Sequence, residues 1–372
     1  MTPSALNVAR SAMFQVASVV ESSLKQRISA SDNMSSTIDI GPLMKMITLD
    51  VFGLWALSQD YGCCSALAPS RVFKLFEASL DDVTQGVKAM PWEFSQRNKQ
   101  FMQNVQELRS VVMKAVEERK ESKVRRDDLL QHLLDAKEKE GGSLDLDSSS
   151  AFVDVLLTVF FAGYDSTSIT LAYAIYLISQ HPEVEAKCLK EIETVQEWDD
   201  RVYCKAVITE TLRLFPPAPV TARDVMKDVV MSDGTILPAG TKFFVPIWHI
   251  HRNDANFSRA SEFIPERWVA PAISTTTTSE SSAVQWVERD PTVDTTMEPI
   301  AAADPKSFFA FSGGGRNCAG SKFALMEASI VFQSLLKEFR FETLEGYEMR
   351  PKRHLMMQCP EDAVPMKISL RQ

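Results

Sequence analysis

Residues 311–320 read FSGGGRNCAG, a glycine-rich turn that leads directly into a segment with helical spacing. Two phosphate-binding patterns do not fit this stretch. A phosphate loop of the form GxxxxGK[ST] nearly fits from Gly315, but its lysine, Lys322, is one position out of register. A dinucleotide-binding GxGxxG from Gly313 fails because its sixth position is Cys318. Two interpretations remain: a glycine-rich loop with a buried cysteine, and a loop that presents the cysteine to a ligand.

The second interpretation gives each polar or glycine position a reason. The dipole and free amides at a helix start favour the thiolate of Cys318, which makes it a good ligand for a metal that tolerates soft ligands, such as haem iron. Gly314 and Gly320 let the backbone approach a flat cofactor closely, and Arg316 can pair with an anionic group such as a haem propionate. A single thiolate with no second Cys or His nearby argues against a zinc site.

The spacing FxxGxRxCxG resembles the haem-binding loop of the cytochrome P450 family, and each fixed position is matched here. The resemblance implies that Cys318 is the proximal thiolate ligand of haem b, that Phe311 packs beside the loop, and that Arg316 contacts a propionate. It also implies the P450 fold, mainly α with small β-sheets.

A second signal is ETLRLFPPAP at residues 210–219, on a predicted helix that Pro216 stops. Glu210 and Arg213, three residues apart, would on their own be an ordinary surface pair of little energetic value. The stretch is similar to the family's ExxR helix, and PERW at 265–268 resembles the segment whose arginine, Arg267, completes a buried cluster. The resemblance therefore implies a rigid structural clamp of Glu210, Arg213 and Arg267, because a buried carboxylate must be fully hydrogen-bonded.

Arg223 lies ten residues beyond Arg213. The resemblance implies a further propionate contact for it, with residues 220–222 at the border of a substrate pocket. A solvent-exposed arginine in a loop is the alternative.

A third signal lies inside a predicted helix that runs from the serines at 148–150 to His181, about 30 residues or ~45 Å. This helix is apolar on nearly every face, so we expect it to be buried. Its middle reads AGYDST at 162–167. Polar residues in a core helix are costly without partners, and Gly163 weakens a helix by about 1 kcal/mol. One explanation is a kink whose hydroxyls bond back to the preceding turn.

The other explanation is an oxygen site, since AGYDST is similar to the family's (A/G)Gx(D/E)T(T/S). The resemblance implies that Ala162 and Gly163 leave room over the haem, and that Asp165, Ser166 and Thr167 pass protons to bound dioxygen. Ser166 departs from the pattern, because threonine is usual there. Serine retains the hydroxyl and loses the methyl group that restricts the rotamer.

Composition excludes several other classes of protein. The chain has 372 residues, with 40 Lys and Arg against 49 Asp and Glu, and the net charge of −9 provides no basic face for nucleic acid. The six cysteines include no CxxC pair, so we expect reduced thiols and a reducing compartment. The charge-free stretch 166–180 is shorter than the ~20 residues of a membrane-spanning helix, so we expect no transmembrane segment.

The remaining sequence predicts the organisation of the chain. Helical spacing dominates its first half; residues 5–30 form an amphipathic stripe for which a mitochondrial presequence is the alternative. Short β-like pieces follow Pro217, and the polar, low-complexity residues 274–306 predict a mobile surface loop inserted in a single domain spanning 1–372.

The resemblance extends over most of the chain but not over the family's N-terminal region. Trp55 is the first tryptophan and lies in a later helix, so no WxxxR helix precedes it. We therefore expect Met1 to be an internal methionine of a longer product, whose relatives are often anchored to a membrane and face the cytoplasm. The resemblance implies a monooxygenase that uses dioxygen, an electron-donating reductase and an apolar small-molecule substrate. The alternative is a truncated, catalytically silent fragment with weak or no haem binding.

Overall fold

The computed structural model of the chain describes residues 3–31, 33–86, 95–122, 124–139, 149–269, 303–353, 357–358 and 363–371. The α-helices in these residues are α1 Pro3–Ser29, α2 Ile40–Leu57, α3 Cys63–Ala66, α4 Arg71–Thr84, α5 Gln96–Ser122, α6 Leu129–Lys139, α7 Ser149–Gln180, α8 Pro182–Thr194, α9 Val202–Leu214, α10 Ile247–His251 and α11 Ser321–Glu338. The β-strands are β1 Ser35–Asp39, β2 Thr221–Asp224, β3 Val229–Val230, β4 Ile236–Leu237, β5 Lys242–Val245, β6 Phe339–Thr343, β7 Lys352–Arg353, β8 Met357–Gln358 and β9 Pro365–Leu370. The predicted class, mainly α with small β-sheets, is confirmed.

Contacts divide the chain into two compact units. The first comprises Met1–Gln180, Ala319–Leu355 and Cys359–Gln372, and the second comprises His181–Cys318 and Met356–Gln358. The prediction of a single domain over 1–372 stays a prediction.

The core of the first unit is built by α1, α2, α7 and α11, which pack on one another. The apolar stripe predicted for α1 is buried, with Ala9, Met13, Leu24 and Ile28 inaccessible to solvent. The helical interpretation of residues 5–30 is therefore confirmed, and its stripe packs in this core.

A small antiparallel sheet in the same unit was not predicted. Its strand order is β1-β9-β6, and the register pairs Ile38 with Met366 and Phe341 with Ile368. Ile368, which pairs on both sides, is inaccessible to solvent. The sheet joins residues more than 300 positions apart, so no local pattern in the sequence indicates it.

The second unit contains α8, α9 and α10 and two antiparallel ribbons, β2-β5 and β3-β4. The ribbons confirm the small sheet predicted after Pro217, and the turns between their strands carry Gly234 and Gly240 with positive φ. The 3₁₀ turn Pro265–Trp268 packs against α9. These two elements position the buried cluster described below.

The long central helix is confirmed as α7, with 32 residues. Its expected burial on nearly every face is wrong for the first half. Val155 is 37% exposed, and Thr158 and Ala162 are exposed on the same side, because their spacing of three and four places them on one helix face. From Thr167 to Ile175 every residue is buried.

Two helices are long and apolar enough to cross a membrane, Ile40–Leu57 and Ala151–Gln180, and in an apolar 18-residue stretch of each, 78% and 61% of the residues are buried within the protein. Helices that pack in a protein core can reach the same length and apolar composition. Residues 274–302 of the predicted surface loop 274–306 lie outside the described residues. The end of the predicted loop overlaps a 3₁₀ turn, Pro305–Ser307, which the Asp304 side chain caps.

Candidate functional site

The cysteine loop is a tight turn that its own backbone closes. The N–H of Cys318 donates to the carbonyl of Phe311 at 2.9 Å, and the N–H of Asn317 donates to that of Gly314 at 3.1 Å. Gly314 has φ +74°, which a residue with a side chain adopts only with strain. An added Cβ there would meet no protein atom within 4 Å, so glycine is required by the backbone and leaves open space beside the turn.

The thiol of Cys318 is exposed, whereas the other cysteines in the described residues are buried. Phe311 is half-buried at the base of the turn, and Gly320 is the N-cap of α11. The expectation of a buried cysteine in a glycine-rich loop is therefore wrong, because Cys318 lies in a run of exposed residues, 313–319.

Two arginines belong to the same region of the second unit. Arg316 is exposed, and it makes no hydrogen bond or ion pair with residues that the structure describes. Arg223, on β2, donates to the hydroxyls of Ser312 and Thr221, each at 2.9 Å. Arg223 therefore lies against the cysteine loop rather than free in a solvent-exposed loop.

The clamp residues meet around a single carboxylate. Glu210 of α9 and its partners Arg213 and Arg267 are all fully buried or nearly so, at 0%, 0% and 1% exposure. Glu210 accepts from Nε and Nη2 of Arg213, both at 2.8 Å, and from Nε of Arg267 at 3.0 Å. Two further donors were not predicted, the backbone N–H of Ile264 at 2.9 Å and the indole N–H of Trp268 at 2.7 Å.

The guanidiniums of this cluster are satisfied as well. Arg213 donates to the carbonyls of His251, Ala260 and Glu262 at 2.6–2.8 Å. Burial lowers the pKa of Arg267, and the nearby Glu210 carboxylate opposes that effect. Since every charge is paired and hydrogen-bonded, the cluster is a fixed joint that ties α9 to the segment 258–268.

On α7, Gly163 lies where helix α2 passes closest. A Cβ at this position would be 2.1 Å from Cε2 of Phe52, so the missing side chain accommodates the Phe52 ring. Thr48, four residues before Phe52, donates its hydroxyl to the carbonyl of Tyr164 at 2.9 Å. Helix packing thus gives Gly163 a reason that does not involve a cofactor.

The polar residues after Gly163 point to different sides of α7. Ser166 is half-buried one turn after the exposed Ala162 and bonds back to its carbonyl at 2.7 Å, as in the kink explanation. Asp165 is buried, and neither of its carboxylate oxygens has a hydrogen-bond partner among the described residues. Thr167 is buried on another side, with a hydroxyl that likewise lacks a partner there.

Asp165 faces a charged cluster on α2 and α4. Its carboxylate is 3.6 Å from the ammonium of Lys45, which also donates to Glu77 at 2.7 Å. Glu77 in turn accepts from the hydroxyl of Tyr164. Burial raises the pKa of Asp165, while the charge of Lys45 lowers it, so the carboxyl holds a proton more readily than an exposed aspartate.

Comparisons with known proteins decide the family. The sequence model of the family described as "Cytochrome P450" matches residues 1–366. The chain belongs to the cytochrome P450 family.

Similar P450s come from distant organisms. The chain is 29% identical to "Pentalenene oxygenase" of Streptomyces avermitilis over 262 residues, 68% of this chain and 51% of that protein. It is 28% identical to "Cytochrome P450 3A6" of Oryctolagus cuniculus over 276 residues, 70% of this chain and 46% of that protein. It is 25% identical to "Cytochrome P450 97B2, chloroplastic" of Glycine max over 348 residues, 83% of this chain and 58% of that protein. The chain spans about half the length of the curated relatives it matches.

The P450 family binds haem b, and the donor set of this chain fits that group. No cluster of three His, Cys, Asp or Glu that could hold a metal ion occurs in the described residues. Porphyrin iron brings most of its ligands with it and takes one from the protein, so a single thiolate such as that of Cys318 is sufficient to hold it. An exposed thiol, an unpaired Arg316 and open space beside Gly314 are what such a group needs.

Sequence reasoning missed one buried acid of this P450, Glu327 on α11. Glu327 has no solvent exposure, and its two oxygens have no hydrogen-bond partner in the part of the chain that the structure describes. Burial raises the pKa of this carboxyl well above its usual range, and the Thr167 hydroxyl opposes the effect. An acidic residue in the apolar stretch 323–336 is the signal that could have identified it.

Proposed function

We propose that this P450, with haem b bound, is a haem-thiolate monooxygenase. It inserts one oxygen atom of dioxygen into an apolar small organic substrate, with electrons from a redox partner. The observation that carries the proposal is the exposed thiol of Cys318 at the end of a backbone-closed turn, in a chain that matches the family over residues 1–366. A single domain over 1–372 is part of the same proposal.

In this proposal the cysteine loop and Arg223 of β2 hold the cofactor. The Cys318 thiolate would ligate the iron, with Phe311 and Gly314 shaping the turn and Gly320 starting α11. Arg316 and Arg223 bind the carboxylates of the porphyrin, since guanidiniums pair well with carboxylates. Haem iron with a thiolate ligand supplies dioxygen activation and the electron density that favours O–O cleavage.

Residues of α7 supply protons and space. Ala162, on the exposed face of the helix, leaves room for a small ligand, with Gly163 next to it. The hydroxyl of Ser166 donates to the carbonyl of Ala162, and its oxygen can accept a further hydrogen bond. We propose Asp165, whose pKa is raised, as a holder of a proton, and Ser166 and Thr167 as hydroxyls that take part in proton transfer from other sides of α7. Ser166 lacks the methyl group with which a threonine would restrict the rotamers of the hydroxyl. Because the hydroxyl is less firmly placed, we expect some dioxygen to be consumed without product.

The clamp of Glu210, Arg213 and Arg267 has a structural role in the proposal. Its three side chains are buried and hydrogen-bonded to one another within the protein, so we assign them no part in the chemistry. We propose that it keeps the scaffold of the cysteine loop rigid.

The substrate class rests on two considerations. The relative from Streptomyces avermitilis is named an oxygenase of pentalenene. Thiolate-ligated iron also acts on unactivated carbon, so an apolar substrate needs no reactive group of its own. We propose small apolar molecules as substrates and an electron-donating reductase as partner. A catalytically silent fragment is the alternative, and the comparisons give it no support.

The test measures dioxygen use by the haem-reconstituted chain with a reduced surrogate redox partner. We expect reductant-dependent dioxygen consumption without added substrate, and ¹⁸O from labelled dioxygen in the products of a panel of small apolar compounds. Cys318→Ser is the loss variant, and Cys188→Ser, at a buried cysteine of α8, is the matched control. Haem-loaded protein that consumes no dioxygen, or consumes it equally well as Cys318→Ser, would contradict the proposal and favour the silent fragment.

A further inference from the structure

His251, the last residue of α10, is a buried imidazole held on both nitrogens. Nδ1 lies 3.0 Å from the carbonyl oxygen of Arg213, and Nε2 accepts the backbone N–H of Phe309 at 2.8 Å. The ring stacks on Phe308 with centroids 5.4 Å apart and an angle of 5° between the planes. Phe257 packs against its other side, edge-on, at 5.9 Å.

These partners fix the protonation state of the ring. A carbonyl oxygen can only accept, so Nδ1 carries the proton that points at Arg213. A backbone N–H can only donate, so Nε2 must be unprotonated to receive Phe309. Protonation of Nε2 would place two N–H groups against each other and break the bond to Phe309.

The charges around His251 also favour the neutral ring. Burial lowers its pKa to about 4, and the guanidiniums of Arg213 on α9 and of Arg252 just after α10 act in the same direction. The other contacts on the ring are the uncharged side chains of Phe257 and Phe308. No carboxylate contacts the imidazole in the described residues.

His251 connects the buried cluster to the start of the cysteine loop. Arg213 donates to the carbonyl of His251 at 2.7 Å, and His251 returns a hydrogen bond to the carbonyl of Arg213, so the two residues are locked reciprocally. On the other side, Phe309 enters the turn, where its carbonyl accepts the N–H of Ser312 at 2.8 Å. The turn then closes with the bond from Cys318 to Phe311.

We propose that neutral His251 is the positioning residue of the cysteine loop, and that acid releases the loop by protonating Nε2. The inference rests on the proposed function, because it assigns a purpose to holding Cys318 still. The sign follows from the direction of the shift. A histidine whose pKa is lower in the fold contributes its stabilisation above the ordinary pKa of about 6.5, and loses it as pH falls towards 4.

The first test uses the chain without haem, so it does not depend on activity. Amide hydrogen exchange across residues 309–318 is measured from pH 7 to pH 4 and expressed as protection factors. For the native chain we expect protection to fall roughly tenfold over this range, the worth of one hydrogen bond of ~1–1.5 kcal/mol. In His251→Gln the side-chain amide oxygen can still accept the backbone N–H of Phe309, and glutamine does not titrate. We therefore expect the protection factors of this variant to be the same at pH 7 and pH 4.

Two further variants complete the series. His251→Phe keeps an aromatic ring for stacking but loses both hydrogen bonds, so we expect low protection of the loop at every pH. His249→Gln is the matched control, because His249 is exposed on the same helix, and it should behave as the native chain. Equal protection of the native chain at pH 7 and pH 4, or the same pH dependence in His251→Gln, would overturn the inference.

The second readout is spectroscopic and separates this inference from the proposed function. In the haem-loaded protein, we expect the thiolate-type carbon monoxide spectrum to be lost on acidification with a midpoint that His251→Gln shifts. A loop that follows the predicted exchange behaviour, in a protein that never gives the thiolate spectrum, would refute haem ligation and leave the anchoring by His251 intact. An unchanged midpoint in His251→Gln would refute the positioning role even where the enzyme is active.

Discussion

Glu210→Gln removes one charge from the buried cluster and leaves the shape of the side chain unchanged. In the native chain the carboxylate accepts five hydrogen bonds, and both guanidinium partners are fully desolvated. A glutamine keeps one acceptor oxygen. Its NH₂ group, placed at Oε2, would face the Nε–H of Arg213 and the indole N–H of Trp268, both of which can only donate.

The expected cost follows from these contacts. Removing one partner of a buried ion pair typically destabilises by ~3–5 kcal/mol, because the remaining charges are left uncompensated. The Nε–H of Arg213 and the indole N–H of Trp268 would each lose an acceptor, which in isolation costs ~1–3 kcal/mol. Part of this cost is already included in the cost of breaking the ion pair. We therefore expect the free energy of unfolding to fall by about 4 kcal/mol.

The assay is urea unfolding, monitored by far-UV circular dichroism and by the summed fluorescence of the six tryptophans, of which Trp268 contacts the cluster. Glu262→Gln is the matched control: Glu262 pairs with Arg259 at the same i,i+3 spacing, but on the surface with a side chain 50% exposed. We expect the control to leave the midpoint unchanged, because exposed pairs are screened by water. A Glu210→Gln midpoint equal to that of Glu262→Gln would refute the view that the cluster is a fixed structural joint.

Two more predictions concern α7. Gly163→Ala should destabilise the chain by about 1–3 kcal/mol in urea unfolding, because its Cβ would meet the Phe52 ring at 2.1 Å. Adding Phe52→Leu, which has a smaller side chain, should recover part of this loss. An unchanged unfolding midpoint in Gly163→Ala would contradict the packing of Phe52 against Gly163. Lys45→Met should raise the pKa of Asp165 further, since the ammonium is the nearest charge that favours the carboxylate. A carboxyl with a raised pKa stabilises the fold at low pH and loses that contribution as pH rises through its folded value, so the gap between the native chain and Lys45→Met should widen from pH 4 to pH 8. Two results would contradict the raised pKa of Asp165: a stability difference between the native chain and Lys45→Met that is the same at pH 4 and pH 8, or a pH dependence of that difference that persists when both chains also carry Asp165→Asn.

The sequence predicted best what local rules determine. The limits of α7 follow from the serines at 148–150 and from Pro182, which cannot continue a helix interior. The stripe of α1 follows from helical spacing alone. The first half of α7 was harder, because hydrophobicity does not tell which face stays exposed, and Val155 lies on that face.

The candidate site was predictable to the extent that its residues are neighbours in the chain. Glu210 and Arg213 share a helix face, so their pairing can be read from the spacing. Trp268 and the N–H of Ile264 reach the same carboxylate from more than 50 positions away, and only the fold brings them there. In the same way, Phe52 explains Gly163 through packing of two helices that are distant in sequence.

The pairing of β1 with β9 is the extreme case. Ile38 and Met366 are partners because the chain folds back on itself over almost its whole length. Short strands of this kind carry too little alternation to be recognised alone. Such long-range contacts are the part of the structure that sequence reasoning could not supply.

The most direct test of the account is the carbon monoxide difference spectrum of the reduced chain after reconstitution with haem b. The account predicts the strongly red-shifted Soret band of an iron–thiolate bond for the native chain, and its loss in Cys318→Ser with haem uptake retained. The same red-shifted band in Cys318→Ser, or haem uptake by the native chain without that band, would contradict the claim that the sulfur of Cys318 is the ligand.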